Sequence, residues 1–254
     1  MTASETSPAS EPVTAAILVI GDEILSGRTK DKNIGYIAEY LTNIGIDLRE
    51  VRVVPDIEEE IVAALNALRA KATYVFTTGG IGPTHDDITA DAVAKAFGVT
   101  IDHDPRAIAM LAERFPPDQL NEARLRMARI PAGADLIANS VSKAPGFRLG
   151  NVHVMAGVPS IMQAMLDVVA PTLKTGVKML SETVRAGLKE GDIGTALAAI
   201  AKAHPETSIG SYPFWSETGP DTNIVVRSRD PERLADAAAA VAEMIAAERA
   251  RLAG

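Results

Sequence analysis

Strand-like segments alternate with helix-like segments through the first part of this chain, and that alternation limits its possible folds more than any other feature. The segments AAILVIG, IDLREVRVV and ATYVFTT have the apolar and β-branched content of strands, and each precedes a segment with apolar residues at helical spacing. AAILVIG is a continuous apolar run, which is typical of a strand buried on both faces. Strands that alternate with helices of roughly 10 to 15 residues predict an α/β fold with a doubly wound, mostly parallel sheet.

The order of predicted elements changes near residue 175, and we divide the chain into a tail and two domains. Residues 1–12 are polar and are predicted to be a disordered tail. Residues 13–174 are predicted to form the α/β domain. Residues 175–254 are predicted to form a small α+β domain, with strands ETVRAGL, SIGSYPFW and NIVVRS and a last helix that begins at Pro231. The segment SETGPDTN is predicted to be a turn, because it is too polar for a core.

The composition excludes several classes of protein. A formal net charge of -8 at pH 7 argues against nucleic acid as a partner, because nucleic-acid-binding proteins carry a basic surface. The chain has no cysteine, so disulfides and thiolate chemistry are excluded. No apolar run reaches the roughly 18 residues of a membrane span, and the start lacks the basic and apolar regions of a signal peptide. We therefore expect a cytoplasmic protein with no membrane partner.

Three loops of the predicted α/β domain carry both glycines or prolines and acids. They are GDEILSG, VPDIE and TTGGIGPTHDDIT, and each directly follows a predicted strand. The carboxyl ends of parallel strands form the ligand-binding edge of such a sheet, so we expect the three loops to converge. The last loop matches neither G-x-G-x-x-G nor the Walker sequence, which excludes the two common phosphate-loop motifs.

The glycine loop, which we define as residues 77–89, has the groups that a phosphate requires. Its glycines leave backbone N–H groups unobstructed, and its threonine hydroxyls can donate hydrogen bonds. The predicted phosphate-binding residues of this loop are Thr78, Gly79, Gly80, Gly82 and Thr84. The helix that begins near Ile88 adds the positive end of its dipole.

Two adjacent acids in the same loop, Asp86 and Asp87, would repel a bare phosphate. A hard cation between carboxylate and phosphate oxygens removes that repulsion, so the loop predicts a phosphate and a metal ion together. Asp22, Glu23 and Asp56 follow the neighbouring strands and are candidate further ligands or bases. The alternative is that Asp86 or Asp87 only caps the following helix. The number of acids at neighbouring strand ends favours the metal site.

Other residues are candidate ligand contacts, each with a structural alternative. Gly157 and Ser160, in GVPS, present N–H groups to an acidic group or form an ordinary helix start. Lys143 is a candidate cation for a phosphate or a solvated surface side chain. Asn33 orients a ligand or caps its helix. His85 is a candidate substrate contact or general acid, since no histidine here has zinc-ligand spacing.

Two clusters allow less specific predictions. Tyr212, Phe214 and Trp215 are predicted to pack in a core or a dimer in preference to stacking on a ligand ring. The segment EARLRMAR, residues 122–129, concentrates three arginines. These arginines either form a solvated face or collect phosphates from a neighbouring subunit.

Several motifs together resemble one family. TGGIGPTHDDIT, the upstream GDEIL.G...D.N and VVPD are similar to the MoaB/Mog molybdopterin-binding fold, and most similar to the N-terminal domain of CinA (competence/damage-inducible protein A). SKAPGF and MAGVPSIM extend the likeness, and SIGSYPFW resembles the segment that follows this fold in eukaryotic FAD synthases. His85, where CinA proteins commonly have lysine in GPTKDD, resembles the FAD-synthase-linked branch.

The resemblance implies one of two functions. In the CinA and FAD-synthase-linked branches it implies a pyrophosphatase that splits ADP-ribose or FAD, releases AMP and depends on a divalent metal (Mg, Mn or Co) and on potassium. Asp86 and Asp87 would then hold the metal, with Asp22, Glu23 or Asp56 as further ligands or as the base. In molybdenum-cofactor enzymes, aspartates that match Asp56 and Asp87 handle molybdopterin, which implies a binding protein without turnover.

The resemblance also sets expectations about partners. The ligand is expected to be a small nucleotide or molybdopterin, and the fold class implies a homo-oligomer, at least a dimer. Nothing in the sequence matches the NMN-deamidase-like domain of full-length CinA or the FAD-synthesising domain, so neither activity is expected.

Overall fold

The computed structural model describes residues 12–217 and 219–253, so residues 1–11 of the predicted tail lie outside the described part. The chain divides between Gly176 and Val177 into two compact units. Each unit has its own apolar core.

The first unit contains a mainly parallel sheet between two layers of helices. Its strands are β1 (Thr14–Ile20), β2 (Asp47–Val54), β3 (Tyr74–Thr78), β4 (Ile101–His103), β5 (Arg129–Pro131), β6 (Asp135–Ile137), β7 (Gly146–Leu149) and β8 (Val152–Met155). The main sheet has the order β2-β1-β3-β8-β7-β6, in which the first four strands are parallel and the last two alternate in direction. Strands β4 and β5 form a separate antiparallel pair. This arrangement confirms the predicted doubly wound fold.

Helices follow the first three strands of the first unit, as the sequence pattern predicts. The helices of this unit are α1 (Asp22–Leu25), α2 (Asn33–Asn43), α3 (Glu58–Arg69), α4 (Thr89–Phe97), α5 (Pro105–Ala112), α6 (Glu122–Arg126) and α7 (Pro159–Val169), with short 3₁₀ turns at Pro117–Gln119 and Ala170–Thr172. The short helix α1 and the pair β4–β5 were not predicted. Helices and strands of three or four residues carry too few periodic positions to be recognised from sequence.

Strand β1 shows why the sheet is covered on both faces. Leu18 packs in a cluster with Leu65 of α3, whereas its neighbour Ile17 packs in a second cluster with Ile37 of α2 and Leu166 of α7. Successive strand side chains point to opposite faces, so a continuous apolar run requires a helix layer on each side. The residues from Ala15 to Ile20 are all buried.

The second unit is a small α+β domain, as predicted. It consists of β9 (Leu180–Arg185), α8 (Glu190–Ala203), β10 (Ser208–Ser216), β11 (Gly219–Ser228) and α9 (Pro231–Ala253). The sheet order is β10-β11-β9, with antiparallel pairs. Ile224 and Val226 of β11 pack with Ile193 of α8 and Val241 of α9.

One prediction for the second unit was wrong, and another was wrong in part. The segment SETGPDTN is mostly strand, and Asp221 and Thr222 within it are buried. Their burial is tolerated because Asp221 accepts a hydrogen bond from Arg185 Nε at 2.6 Å and Thr222 donates one to the Leu188 carbonyl at 3.0 Å. For the aromatic cluster, packing in the core is excluded for Trp215, which is 83% exposed at the hairpin end of edge strand β10, and packing in a dimer stays a prediction.

None of the helices in residues 12–217 and 219–253 has both the length and the apolar character needed to cross a membrane. This finding agrees with the absence of a long apolar run in the sequence.

A histidine lies inside the main sheet. His153 of β8 is 2% exposed, with its ring stacked on Phe76 at 5.2 Å between centroids and edge-on to Tyr74 at 5.7 Å. Its Nδ1 has no hydrogen-bond partner among the described residues. Burial, assisted by the charge of Arg148, lowers the pKa of His153 to about 4. The folded protein therefore holds this imidazole neutral.

We predict that His153 makes the protein sensitive to acid. Its folded pKa lies below the unfolded value of about 6.5, so its contribution to stability is complete above pH 6.5 and is lost as the pH falls towards 4. The loss amounts to about 3 kcal/mol. In urea unfolding at pH 7, 5.5 and 4, His153→Leu should decline less steeply than the unchanged protein. The same replacement at the partly exposed His103 is the control, and equal slopes for all three proteins would contradict the prediction.

Candidate functional site

Loops that follow three of the four parallel strands, β1, β3 and β8, contribute to the wall of a cavity of about 590 Å³ in the first unit. The carboxyl ends of β1, β2, β3 and β8 share one edge of the sheet, so their loops meet there as predicted. The residues that line the cavity are Glu23, Thr29, Gly79, Gly80, Ile81, Gly82, Pro83, Asp87, Arg114, Phe115, Met127, Ser142, Ala144, Ala156, Gly157, Val158, Pro159, Ile161 and Met165. This volume is within the range of small-molecule sites.

The glycine loop is held in a conformation that requires glycine. Gly79 has a φ of 103° and Gly80 a φ of 67°. A Cβ atom at Gly79 would overlap the Ile20 carbonyl oxygen, and one at Gly80 would overlap the Thr89 hydroxyl. The Thr89 hydroxyl donates to the Gly79 carbonyl at 3.0 Å, and the Thr89 N–H donates to the Gly80 carbonyl at 3.0 Å. These bonds fix the loop against the start of α4.

Asp87 is oriented by its own loop. One carboxylate oxygen of Asp87 accepts hydrogen bonds from the Thr84 N–H at 2.8 Å and the Thr84 hydroxyl at 2.6 Å. Helix α4 begins at Thr89, and no side chain caps it. The helix-capping alternative for Asp86 and Asp87 is therefore excluded, and the Asp87 side chain faces the cavity instead.

Negative charges gather beside the glycine loop. Asp56, after β2, accepts a hydrogen bond from the Asp22 N–H at 3.0 Å. Burial raises the pKa of Asp56, and the charges of Asp22, Glu23 and Asp86 raise it further. The folded protein thus holds several carboxylates close enough to repel one another.

The carboxylates suit a hard divalent cation in donor chemistry but do not form a complete cage. Across residues 12–217 and 219–253, no group of three or more His, Asp or Glu side chains is close enough together to hold a metal ion. Magnesium is commonly held by one or two carboxylates, with water and phosphate oxygens as its remaining ligands. Asp87, in the cavity wall, fits binding of that kind.

The structure brings some of the predicted site residues to the cavity and leaves others outside its lining. Those in the lining are Glu23, Gly79, Gly80, Gly82, Asp87 and Gly157, and those outside it are Asp22, Asn33, Asp56, Thr78, Thr84, His85, Asp86, Lys143 and Ser160. Lys143 pairs with Glu113 at 2.7 Å. The side chains of His85 and Ser160 are exposed.

Asn33 is buried and ties two loops together. Its side-chain N–H donates to the Gly157 carbonyl at 2.8 Å, while Asp31 accepts the N–H groups at the start of α2. Asn33 therefore does not cap its helix. Its Oδ1 and the hydroxyl oxygen of buried Thr78 have no hydrogen-bond partner among the described residues. Buried polar atoms normally have a hydrogen-bond partner, so water or a ligand is the expected partner of these two atoms.

Sequence reasoning missed most of the cavity wall. Phe115, Met127, Ile161 and Met165 give the cavity a large apolar surface, and Arg114, which donates to the Val141 carbonyl, is its lining cation. Apolar side chains in loops and helices carry no motif, and their common position becomes visible only in the folded chain.

The arginine-rich segment is not simply a solvated face, since the Arg129 guanidinium forms a bidentate ion pair with the Asp91 carboxylate at 2.6 and 2.7 Å.

A doubly wound sheet with a glycine–aspartate loop and a cavity at its carboxyl edge defines a ligand-binding α/β protein. Residues 16–175 match the family described as "Probable molybdopterin binding domain", and the chain belongs to this family. Residues 178–252 match the family described as "FAD synthase, middle domain". Both matches agree with the resemblance carried by the sequence motifs.

Individual relatives support the assignment. A protein of Pyrobaculum calidifontis is 37% identical over 212 residues, which are 79% of this chain and 80% of that protein. A CinA-like protein of Desulfosudis oleivorans is 35% identical over 231 residues, which are 86% of this chain but 55% of the relative. The solved structure of a CinA protein of unknown function from Thermoplasma acidophilum is 35% identical, has a TM-score of 0.60 and covers 63% of this chain and 96% of its own.

We predict that an alanine in the glycine loop destabilises the folded protein for two reasons. The backbone conformation is unfavourable for alanine, and the added Cβ overlaps neighbouring atoms. Gly80 and Gly98, which follows α4, share a φ of 67°, but a Cβ at Gly98 meets nothing within 4 Å. Gly98→Ala should lower the free energy of unfolding by about 1 kcal/mol. Gly80→Ala should lower it by about 3 kcal/mol, because it also disrupts the Thr89 hydrogen bonds. Chemical denaturation measures both, and equal losses would refute the overlap.

We also predict that the acid cluster reduces stability. The folded pKa of Asp56 is raised, so ionisation of this carboxyl group at neutral pH destabilises the folded state relative to the unfolded state. The destabilisation disappears below about pH 3.8, where the group is protonated in both states. Asp56→Asn should raise the thermal midpoint at pH 7 by an amount equivalent to less than about 1 kcal/mol, since the group is partly exposed. The gain should vanish near pH 3.5. A lower midpoint at pH 7 would show that the carboxylate is not under electrostatic strain.

Proposed function

We propose that this protein is a metal-dependent hydrolase that splits the phosphoanhydride of a nucleotide diphosphate, ADP-ribose or FAD, and releases AMP. The observation that carries the proposal is the cavity wall in which the glycine loop and Asp87 lie together, with further carboxylates beside it. Membership of a molybdopterin-binding family supports a phosphorylated small-molecule ligand, and the match to a FAD synthase domain supports a nucleotide.

The glycine loop would bind the diphosphate. The Gly79 N–H donates to the Met155 carbonyl at 3.2 Å, so the N–H groups of Gly80 and Gly82 would bind the diphosphate. Glycine N–H groups without a neighbouring Cβ bind anions well. The apolar side chains Phe115, Met127 and Ile161 would contact the base or ring of the ligand and exclude water from around it.

The carboxylates would hold the cation and manage the proton. Asp87 and Asp86 would hold a divalent metal ion, with Asp22, Glu23 or Asp56 as further ligands. When bound, this ion supplies charge neutralisation for the diphosphate. Whichever of Asp22, Glu23 and Asp56 does not hold the metal would accept a proton from the attacking water. The water oxygen bonds to one phosphorus, and the bridging oxygen leaves with the other phosphate.

A second function, binding of molybdopterin or a nucleotide without turnover, is favoured by one observation. The described residues contain no group of three or more acids or histidines close enough to hold a metal ion. Incubation with FAD, ADP-ribose or NADH, with Mg²⁺ or Co²⁺ and K⁺, separates the two functions by chromatography. Release of AMP supports the hydrolase. Tight binding of molybdopterin without AMP release supports the binding protein.

We predict that Asp87→Asn abolishes metal-dependent AMP release, with a loss of at least about 100-fold, because an amide is a poor ligand for a divalent cation. Asparagine can still accept both Thr84 hydrogen bonds, so the thermal midpoint should stay within a few degrees. Asp102→Asn, at an exposed carboxylate outside the cavity, is the control. Normal turnover by Asp87→Asn would remove the basis of the proposed hydrolase.

A further inference from the structure

A fixed positive charge lies behind the glycine loop, although the loop itself contains no cation. Arg126, the last residue of α6, donates a hydrogen bond from its terminal nitrogen Nη2 to the Asp87 carbonyl at 3.2 Å. The two residues are 39 positions apart. The glycine loop is thus contacted by a guanidinium from the arginine-rich segment, residues 122–129, of the same chain.

The Arg126 guanidinium is the least satisfied of the arginines in its segment. Arg129 is neutralised by Asp91, and Arg124 donates to the Gln119 carbonyl and stacks over Phe115. Arg126 forms no ion pair within 4.0 Å among the described residues, and its Nε is buried without any hydrogen-bond partner. A buried donor without an acceptor costs free energy, so an acceptor from outside the chain is expected there.

The space beside Arg126 is suited to one oxygen atom. Arg126 lines a second cavity of about 20 Å³, which is enough for one water-sized group. This small cavity shares part of its wall with the large one: Gly80, Ile81, Gly82, Asp87 and Met127. A phosphate group bound on the glycine loop could therefore place an oxygen, or one bridging water, near the guanidinium.

The position of Arg126 is fixed by elements that lie on both sides of it. Asn121 caps α6 by accepting the Arg124 N–H at 3.0 Å, and buried Ala128 accepts the Asp104 N–H at 2.8 Å. The Arg129–Asp91 pair then joins β5 to α4. These contacts fix the main chain of the segment, and the bond to the Asp87 carbonyl restrains the Arg126 side chain, which then loses less side-chain entropy when it binds an anion.

We infer that Arg126 is the fixed cation of a phosphate subsite on the glycine loop. The backbone of Gly80 and Gly82 forms the other part of this subsite. The inference rests on the proposed function only for the nature of the ligand, a phosphorylated small molecule. Arg126 binds the phosphate and at the same time holds the Asp87 main chain, so it offsets part of the charge of the neighbouring acids. It is a binding residue and exchanges no proton.

The test is direct binding of inorganic pyrophosphate by calorimetry in the absence of metal. Arg126→Met should bind pyrophosphate about 10 to 100 times more weakly, the effect expected for one charge-assisted hydrogen bond. Arg49→Met, which removes an exposed arginine paired with Asp47, is the control of equal charge and should bind as the unchanged protein does. Equal affinities for the two variants, or no binding by the unchanged protein, would overturn the inference.

Two further arms separate binding from support of the loop. The Mn²⁺ affinity of Arg126→Met, measured by electron paramagnetic resonance, should stay equal or rise, because a positive charge near Asp87 has been removed. If the pyrophosphate and Mn²⁺ affinities both fall, Arg126 only holds the loop in shape and the inference is wrong. If Arg126→Met does not fold, Arg126→Lys decides. It should bind pyrophosphate at least about threefold more weakly, since an ammonium lacks the fork that contacts the Asp87 carbonyl and an anion together.

The outcome is distinguishable from that of the proposed function. Loss of pyrophosphate binding in Arg126→Met, with no AMP released by the unchanged protein from any dinucleotide, supports the subsite and rejects the hydrolase. Release of AMP by the unchanged protein, with pyrophosphate affinity unaffected in Arg126→Met, supports the hydrolase and rejects the subsite.

Discussion

The parallel pairing of β1 with β2 on one side and β3 on the other is the constraint on which the site depends. Ile17 pairs with Val51 and with Phe76, and the register continues to the ends of all three strands. Parallel pairing places the residues after each strand at one edge of the sheet. The acids after β1 and β2 and the glycine loop after β3 are brought together by this pairing, although they are distant in sequence. The buried residues of β1 therefore determine the geometry of the ligand edge.

The parts of the molecule that could be predicted are those encoded locally. The apolar run of β1 predicts a doubly covered strand, and the glycines at 79 and 80 predict a loop of unusual backbone, which the positive φ angles show. Convergence of the three loops also follows from the sequence, because parallel sheets place ligands at one edge. Lys143 shows the limit of such reasoning. Its position beside a motif suggested a ligand contact, but its ammonium pairs with Glu113.

The parts that could not be predicted depend on contacts between distant segments. Phe115 and Met127 resemble ordinary core residues in the sequence, and only the folded chain places them in the cavity wall. Asp221 is a second example, because an aspartate in a polar segment predicts a turn until Arg185 is seen to satisfy it across the sheet. The deciding partner of Asp221 is 36 positions away in the chain. Local propensity is then overruled by tertiary packing.

The charge arrangement around the glycine loop follows from what an acidic chain must do to hold an anion. The sequence predicts a metal ion at the glycine loop, since the loop has two aspartates and no lysine. Arg126 adds to that view, because a guanidinium from α6 reaches the loop backbone and leaves one donor unsatisfied. A fixed cation would attract the phosphate even without metal, and the carboxylates, one of them with a raised pKa, would gain most from a mobile cation that arrives with the ligand. The same acids that weaken the free protein are then the groups that make metal and phosphate binding depend on each other.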